Sequence, residues 1–483
     1  MYIGLDLGTS GLRALLVEET GAVIGQAEAA YPVAHPHPGW SEQDPADWVT
    51  ALGTVVAALK AAHPAEMAAV RGLATSGHMH GAVMVDAGGA VLRPAILWND
   101  TRSHVEAAEL DALPEFRAIS GNIVFPGFTA PKLVWVARHE PDVFARLSCV
   151  MLPKDYLNFW LTGRLTSDMS DAAGTSWLDV GARAWSADLL QATGLDTGQV
   201  PTLLEGTGVV GPLLVDRAET LGLPAGCAVV AGGADNAVAA CGIGALGEGQ
   251  GFVSLGTSGV LLAGKDGFAP KADSAVHTFC HAIPGAWYQM GVVLAATDSL
   301  NWLGRITGES PAALAAALGD DLQAPGPVRF LPYLSGERTP HNDSVLRGAF
   351  LNLDIGTDRT AMAKAVMEGV SFSLKDCLDA LGQTGTRLDR VIGIGGGTQS
   401  LYWCKLLATT LGLAVDRPAA GEFGAALGAA RLAICGVTGA APTQVMTPPA
   451  IAETIEPEPS LVPAFAEAHG RYRRSYPSVK EFQ

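Results

Sequence analysis

The residues with the clearest chemical potential are Asp235 and Asn236. An apolar run, Val229-Val230-Ala231, enters the turn Gly232-Gly233-Ala234 and delivers one carboxylate followed by one carboxamide. A carboxylate held in this way can serve as a general base, and Asp235 is read as one. Taken alone, the stretch has a plainer reading, because an Asp after a glycine turn commonly caps a helix or closes the turn. A repeat on either side of it changes that reading. Leu7-Gly8-Thr9-Ser10-Gly11 recurs letter for letter as Leu255-Gly256-Thr257-Ser258-Gly259, and internal self-similarity is the mark of a duplicated fold.

Each copy reads as strand, glycine turn, strand. Tyr2-Ile3-Gly4-Leu5 enters the first turn and Leu12 to Val17 leaves it; Gly251 to Leu255 enters the second and Val260 to Ala263 leaves it. Backbone N–H groups converging in such turns form an anion-binding concavity, to which Thr9 and Ser10 add hydroxyls. The first copy carries Asp6 where the second carries Ser254. Two equivalent hairpins with a single acid suggest a duplicated fold clasping one polyphosphate, with Asp6 at its metal ion. An ordinary pair of hairpins is the alternative for these residues by themselves.

Three stretches together carry a family resemblance: Asp6-x-Gly8-Thr9-Ser10-x-x-Arg13, Gly256-Thr257-Ser258-Gly259, and Gly393-Ile394-Gly395-Gly396-Gly397. Their order and spacing are similar to the two phosphate loops and the adenosine loop of the ATPase superfamily that includes actin, the heat-shock chaperones and hexokinase. Gly127-x-Thr129-x-x-Lys132-Leu133-x-Trp135-Val136-x-Arg138-His139 resembles the first signature of the FGGY carbohydrate kinases. The second signature is imperfect: Gly348-x-Phe350 begins it and Ala365-Val366-Met367-Glu368 ends it, with Asn352 at a usual glycine. Met79-His80 matches the sugar-binding pair of the family members that act on D-xylulose, whereas those acting on glycerol place Arg-Glu there.

The resemblance implies an α/β fold of two similar ribonuclease H-like domains with a hinged cleft between them, residues 1–246 and 247–483. It implies phosphorylation of D-xylulose to D-xylulose 5-phosphate from ATP with Mg²⁺, a step in xylose catabolism. Asp235 is then the catalytic base. Met79, His80, Asn236 and Trp98 would contact the sugar, and Asp6 the metal. Gly8, Thr9, Ser10, Arg13, Gly256 and Thr257 would grip the phosphates, and Gly395, Gly396, Gly397 and Ser400 the adenosine. A cytoplasmic, homodimeric enzyme is expected. Kinases of ribulose, fuculose or glycerol remain alternatives, as does an ATP-driven switch of the chaperone or actin type.

Composition excludes other classes. Net charge is −17, from 31 basic and 48 acidic residues, which disfavours nucleic acid and anionic membrane as partners. Seven scattered cysteines without a C-x-x-C indicate neither disulfide framework nor zinc site. Residues 225–246 are apolar, but Asp235 and Asn236 at their centre argue against a membrane span.

The elements that must position these residues follow from patterning. A helix is expected from Ala46 to about Ala62, a strand at Val70–Ala74 ending in Ser76-Gly77-His78-Met79-His80, and a strand at Ala82–Val85. Pro94 to Asp100 reads as a buried strand whose end presents Trp98. Gly247 to Gly251 reads as the hinge, and Met362 to Leu381 as a core helix. Val391 to Ser400 reads as strand and glycine turn before a helix at Leu401. Lys154-Asp155 and Ser167 to Thr175 are read as structural. Glu337-Arg338-Thr339-Pro340-His341 reads as a charged loop with no role derivable from its residues, and a surface helix is expected from about Pro463 to Arg473.

Overall fold

The computed structural model describes residues 1–419 and 424–482. Its first sheet comprises β1 (Tyr2–Leu7), β2 (Gly11–Val17), β3 (Val23–Ala30), β4 (Gly72–Gly77), β5 (Val209–Pro212) and β6 (Ala228–Ala234), in the order β5-β6-β4-β1-β2-β3. β1, β2 and β3 are antiparallel neighbours, and β4 and β6 run parallel to β1. The second sheet comprises β7 (Gly251–Leu255), β8 (Gly259–Lys265), β9 (His277–Cys280), β10 (Trp287–Val293), β11 (Arg390–Ile394), β12 (Ala414–Pro418) and β13 (Ile451–Ile455), in the order β9-β10-β8-β7-β11-β12-β13. β7, β8 and β10 are antiparallel, and β11 and β12 run parallel to β7. Each sheet therefore contains the same five-strand core, three antiparallel strands followed by two parallel ones, extended at its edges. The repeated hairpins are β1–β2 and β7–β8, equivalent strands in equivalent sheets.

Helices pack on both sheets. In the first half these include α1 (Pro45–Ala62), α2 (Thr129–His139), α3 (Pro153–Thr162) and α4 (Asp235–Ile243); in the second, α5 (Thr297–Thr307), α6 (Arg359–Gly382), α7 (Leu401–Leu411), α8 (Ala425–Thr438) and α9 (Val462–Lys480). α1 begins with Pro45 behind an Asp44 side chain that caps Ala46 N–H, as proline and aspartate favour. It lays Trp48, Leu52, Val55, Val56 and Leu59 on the first sheet. The apolar segment 225–246 is strand β6 followed by helix α4, too short in either form to span a bilayer. Among the described residues no helix is long and apolar enough to cross a membrane.

The two halves interlock. α8 comes late in the chain yet packs on α4, β1 and β4 of the first half. A Cβ on Gly428 would stand 1.8 Å from the Val238 carbonyl oxygen, so the helices touch through backbone. One apolar cluster runs across the halves, joining Val230, Ala237 and Val238 to Phe279, Tyr288 and Leu432.

Four elements differ from expectation. The strand read at Pro94 to Asp100 is confined to Ala95–Ile96, and Trp98 lies in the turn beyond it. The strand placed at Val70–Ala74 occupies Gly72–Gly77, because backbone pairing with β1 carries it to Gly77. Residues 442–459, which read in sequence only as a proline-rich stretch, contain edge strand β13, paired with β12. α9 is longer than 463–473 and is not a plain surface helix: Phe465, Ala468, His469, Tyr472 and Val479 are buried. Polar members hid that face; His469 bonds Asp376 (2.9 Å) and Tyr472 bonds Ser373 (2.7 Å), so they lie inside with partners.

Candidate active site

Asp235 is the first residue of α4, delivered by an irregular end of β6. The β6–β4 register shifts between Val230 and Gly233, and Gly232 sits at φ +74° with the Thr75 carbonyl oxygen 1.8 Å from where a Cβ would be. Only glycine fits both the conformation and the space. Asn236 donates to Asp235 Oδ1 from its backbone N–H (2.6 Å) and its carboxamide (2.9 Å). Both bonds fall on Oδ1. Burial pushes the Asp235 carboxyl up to about 6; the Asn236 bonds oppose this and the Asp6 charge adds to it.

Asp6 lies near the end of β1, opposite Arg13 on β2 and Ser76 on β4. Burial raises its pKa, against the Ser76 hydroxyl and the Arg13 charge. In the first turn Gly8 N–H donates to Gly11 O (3.0 Å). Thr9 is held twice, its hydroxyl accepting from Trp98 Nε1 (3.0 Å) and its carbonyl from Gln43 Nε2 (2.6 Å). Trp98 thus braces this first turn. Ser10 is exposed, and the Arg13 guanidinium meets Gln26 (3.0 Å) and Glu28 (3.3 Å) on β3.

The second turn is braced from α5. Thr297 donates to Gly256 O through N–H (3.0 Å) and hydroxyl (2.8 Å), and Ala296 N–H donates to Thr257 O (2.8 Å). Gly395 packs on this turn: at φ +87°, a Cβ there would lie 2.7 Å from Leu255 O. Gly396 faces open space. A cavity of about 610 Å³ follows, lined by Thr297, Leu300, Ala316, Gly396, Gly397 and Ser400. Ser400 also caps α7, its hydroxyl accepting from Trp403 N–H (3.3 Å). The cavity is mostly apolar and flanks a phosphate-sized turn, which suits a purine nucleoside.

Met79 and His80 follow the end of β4. His80 is at φ +70°, a conformation that costs a non-glycine residue about 1–3 kcal/mol. The FGGY-like signature supplies the compensation: Lys132 Nζ donates to His80 O (2.8 Å) and Gly127 O (2.7 Å), and the Thr129 hydroxyl donates to His80 O (3.1 Å). Burial pushes the Lys132 ammonium down to about 7; even as ordinary hydrogen bonds these contacts contribute about 0.5–1.5 kcal/mol each, together enough to hold the strained residue. In the sequence Thr129 and Lys132 stand only as family marks, without a role of their own. The spacing i, i+3 on one helix face was the signal available. His80 Nδ1 lies 2.7 Å from Gly174 O, so that nitrogen carries the proton and Nε2 can accept. Burial depresses the imidazole to about 3, leaving it neutral. It stacks on Phe128 at 4.3 Å, and Tyr288 of the second half contacts Met79 Sδ (3.8 Å).

Beneath β6 lies a buried charge cluster whose residues carry no catalytic pattern in the sequence. Lys154 Nζ is paired with Asp155 and, at 2.8 Å, with Asp168; Asp171 is 3.9 Å away. Asp168 accepts from the Ser170 hydroxyl, which itself accepts from Ala234 N–H (3.0 Å). The cluster therefore fixes the backbone immediately before Asp235.

A family model of the FGGY carbohydrate kinases, N-terminal domain, matches residues 1–242, and the corresponding C-terminal domain matches residues 251–437. A xylulose kinase of Escherichia coli (strain K12) is 48% identical over 436 residues, covering 90% of this chain and 89% of that one. Among solved structures, a protein of Brucella ovis described as a xyloylose kinase superposes with TM-score 0.97 at 55% identity over the whole of both chains. A xylulose kinase of Rhodospirillum rubrum superposes with TM-score 0.90 at 29% identity over 99% of each.

Proposed function

Because this chain belongs to the FGGY family of carbohydrate kinases, we propose that it transfers the γ-phosphoryl group of ATP to the C5 hydroxyl of D-xylulose, giving D-xylulose 5-phosphate and ADP. The observation that carries this reading is Asp235. It is a carboxylate whose Oδ1 is held by Asn236, within reach of the Asp6 charge and pushed up to about 6, so that it is ionised at neutral pH yet basic enough to take a hydroxyl proton. The relatives named above, together with Met79-His80, favour D-xylulose as acceptor.

Phosphoryl transfer asks chiefly for in-line positioning and neutralisation of charge. Residues 1–246 supply the base and the sugar contacts: Asp235 takes the C5 proton, while Asn236, His80, Met79 and Trp98 orient the sugar. Residues 247–483 supply Gly256 and Thr257 to the phosphates and Gly395, Gly396, Gly397 and Ser400 to the nucleoside. Gly8, Thr9, Ser10 and Arg13 meet the phosphates from the other side. Asp6 fits a magnesium site: it is a carboxylate beside the first glycine turn whose pKa burial raises, and its charge reaches Asp235, whose pKa it helps to raise. When bound there, Mg²⁺ offsets the charge of the polyphosphate. Asp6→Asn is expected to lower kcat about 10²-fold or more and to raise the magnesium concentration giving half-maximal rate. An unchanged magnesium titration would remove Asp6 from that role.

The seven cysteines are free and buried, in keeping with a reducing cytoplasm, and a homodimer belongs to the same reading. The test is ADP release from MgATP with D-xylulose, D-ribulose, L-ribulose, L-fuculose and glycerol supplied separately, against a blank without sugar. Preference for D-xylulose supports the proposal. Preference for another polyol discards the sugar, and release indifferent to all of them discards the kinase in favour of an ATPase switch.

A further inference from the structure

The loop Glu337 to His341 belongs to no role given above, yet it is tightly built. Thr339 N–H donates to Val292 O (3.2 Å), its hydroxyl donates to Ala275 O (2.8 Å), and that hydroxyl accepts from Val292 N–H (3.1 Å). Glu337 exchanges backbone bonds with Asp343, and its Oε1 accepts the N–H groups of Arg338 (2.8 Å) and Leu294 (3.4 Å). These contacts fix the loop to β10 of the second half. Arg338 projects from it toward the first half, its guanidinium 4.6 Å from the centre of the Phe125 ring.

Phe125 is linked through ring contacts to His80, one of the proposed sugar contacts. It packs on Phe128 (5.4 Å), which stacks on His80 (4.3 Å), and it meets His277 of β9 (5.2 Å). The Arg338 charge reaches both histidines, contributing to their depressed basicity. Among the described residues no carboxylate pairs with this guanidinium and no acceptor takes its side-chain N–H groups. Its acidic neighbour Glu337 spends one oxygen on backbone amides. An arginine carries five N–H donors in a planar fork, and the half-buried fork of Arg338 keeps them available to a ligand. The ring contact orients the fork without satisfying it.

The ligand must offer uncharged or charged oxygens beside neutral His80, at the group formed by His80, Phe125 and Phe128, whereas Asp235 groups with Asp6 and Asn236. We propose, on the reading of the acceptor given above, that Arg338 is a sugar-binding residue contributed by the second half, its guanidinium donating to the C1 and C2 oxygens of the ketose. The sugar then bridges the halves, with its C5 hydroxyl at Asp235 and its carbonyl end at Arg338. A guanidinium suits a carbonyl with an adjacent hydroxyl because two acceptors can be met at once.

The test compares Arg338→Met and Arg338→Lys with the parent enzyme, using D-xylulose and 1-deoxy-D-xylulose as acceptors. Loss of a charged donor to the sugar is expected to raise the KM for D-xylulose about 10- to 100-fold in Arg338→Met, with the KM for ATP within about twofold of the parent. Arg338→Lys should recover part of the loss. The parent should favour D-xylulose over the 1-deoxy sugar by more than Arg338→Met does, a discrimination that a purely structural arginine would leave unchanged. A KM for D-xylulose unaltered in either variant, or KM values for sugar and ATP rising together, would overturn the proposal. If Arg338→Met is insoluble, Arg338→Lys decides by the same KM comparison and sugar ratio. A parent enzyme inactive on D-xylulose but active on another polyol would instead overturn the acceptor assignment and this inference with it.

Discussion

Asp235→Asn is expected to lower kcat with D-xylulose by about 10²- to 10⁴-fold, the range a positioned general base contributes, while ATP still binds with parent affinity. The substitution keeps shape and the option of hydrogen bonding to Asn236 but removes the proton acceptor. Nucleotide binding measured by calorimetry separates the two effects. Retained affinity with lost turnover assigns Asp235 to the chemical step, whereas more than about a tenth of parental kcat would remove it from the mechanism. The pH profile gives a second reading. The carboxylate must be ionised to accept a proton, and its pKa stands at about 6, so kcat/KM of the parent should decline as pH falls through about 6, on one ionisation. A cation beside Asp6 stabilises the ionised form, so more magnesium should move that midpoint lower. Stability carries the opposite sign. The folded-state pKa is raised above its usual 3.8, which means the ionised group opposes folding at neutral pH. Asp235→Asn should therefore melt no lower than the parent at pH 7.

Lys154→Met should produce the largest loss of stability. The lysine is fully buried among Asp155, Asp168 and Asp171; its removal leaves buried carboxylates uncompensated. Breaking one partner out of such a group costs about 3–5 kcal/mol, a large share of the stability of an ordinary domain. Thermal unfolding should show a fall of several degrees in apparent melting temperature. Lys154→Met combined with Asp155→Asn should regain part of it, because the repulsion is relieved. Burial raises the pKa of Asp155 and of Asp171, so the cost of their charges is present above those raised values and relieved as pH falls through them. The gap between variant and parent should narrow at lower pH. An unchanged melting temperature would mean that the cluster is not what holds this region. Activity is the accompanying readout, since Ser170 links Asp168 to the amide of Ala234, next to the proposed base.

Much of this was legible in the residues alone. The repeated Leu-Gly-Thr-Ser-Gly turns, the glycine-led approach to Asp235 and the Gly393 to Gly397 turn are local features: a strand that must reverse or bend within a few residues needs glycine at fixed offsets, so spacing reveals the backbone. α1 and α6 were readable for a similar reason, because apolar residues at helical spacing need a surface to cover. The same local logic missed the buried face of α9, where His469 and Tyr472 are polar by type but satisfied inside. It also missed β13, whose residues are exposed except Ile455 and which exists by pairing with β12.

What the tertiary structure alone decided are the encounters between residues distant in the chain. Sequence determined that Asp6 and Asp235 each stand at the junction of a strand and a turn; the sheet order, which sets β1 and β6 on either side of β4, decided that the Asp6 charge reaches Asp235. Sequence determined that Lys132 and His80 each belong to a recognisable motif, and only packing of α2 beneath the end of β4 put the ammonium on the His80 carbonyl. Lys154 with its three carboxylates, and Arg338 over Phe125, were equally unreadable beforehand. The physical reason is common to all four. Backbone geometry is governed by neighbours along the chain, whereas the charge or strain a side chain must answer is set by what burial brings against it.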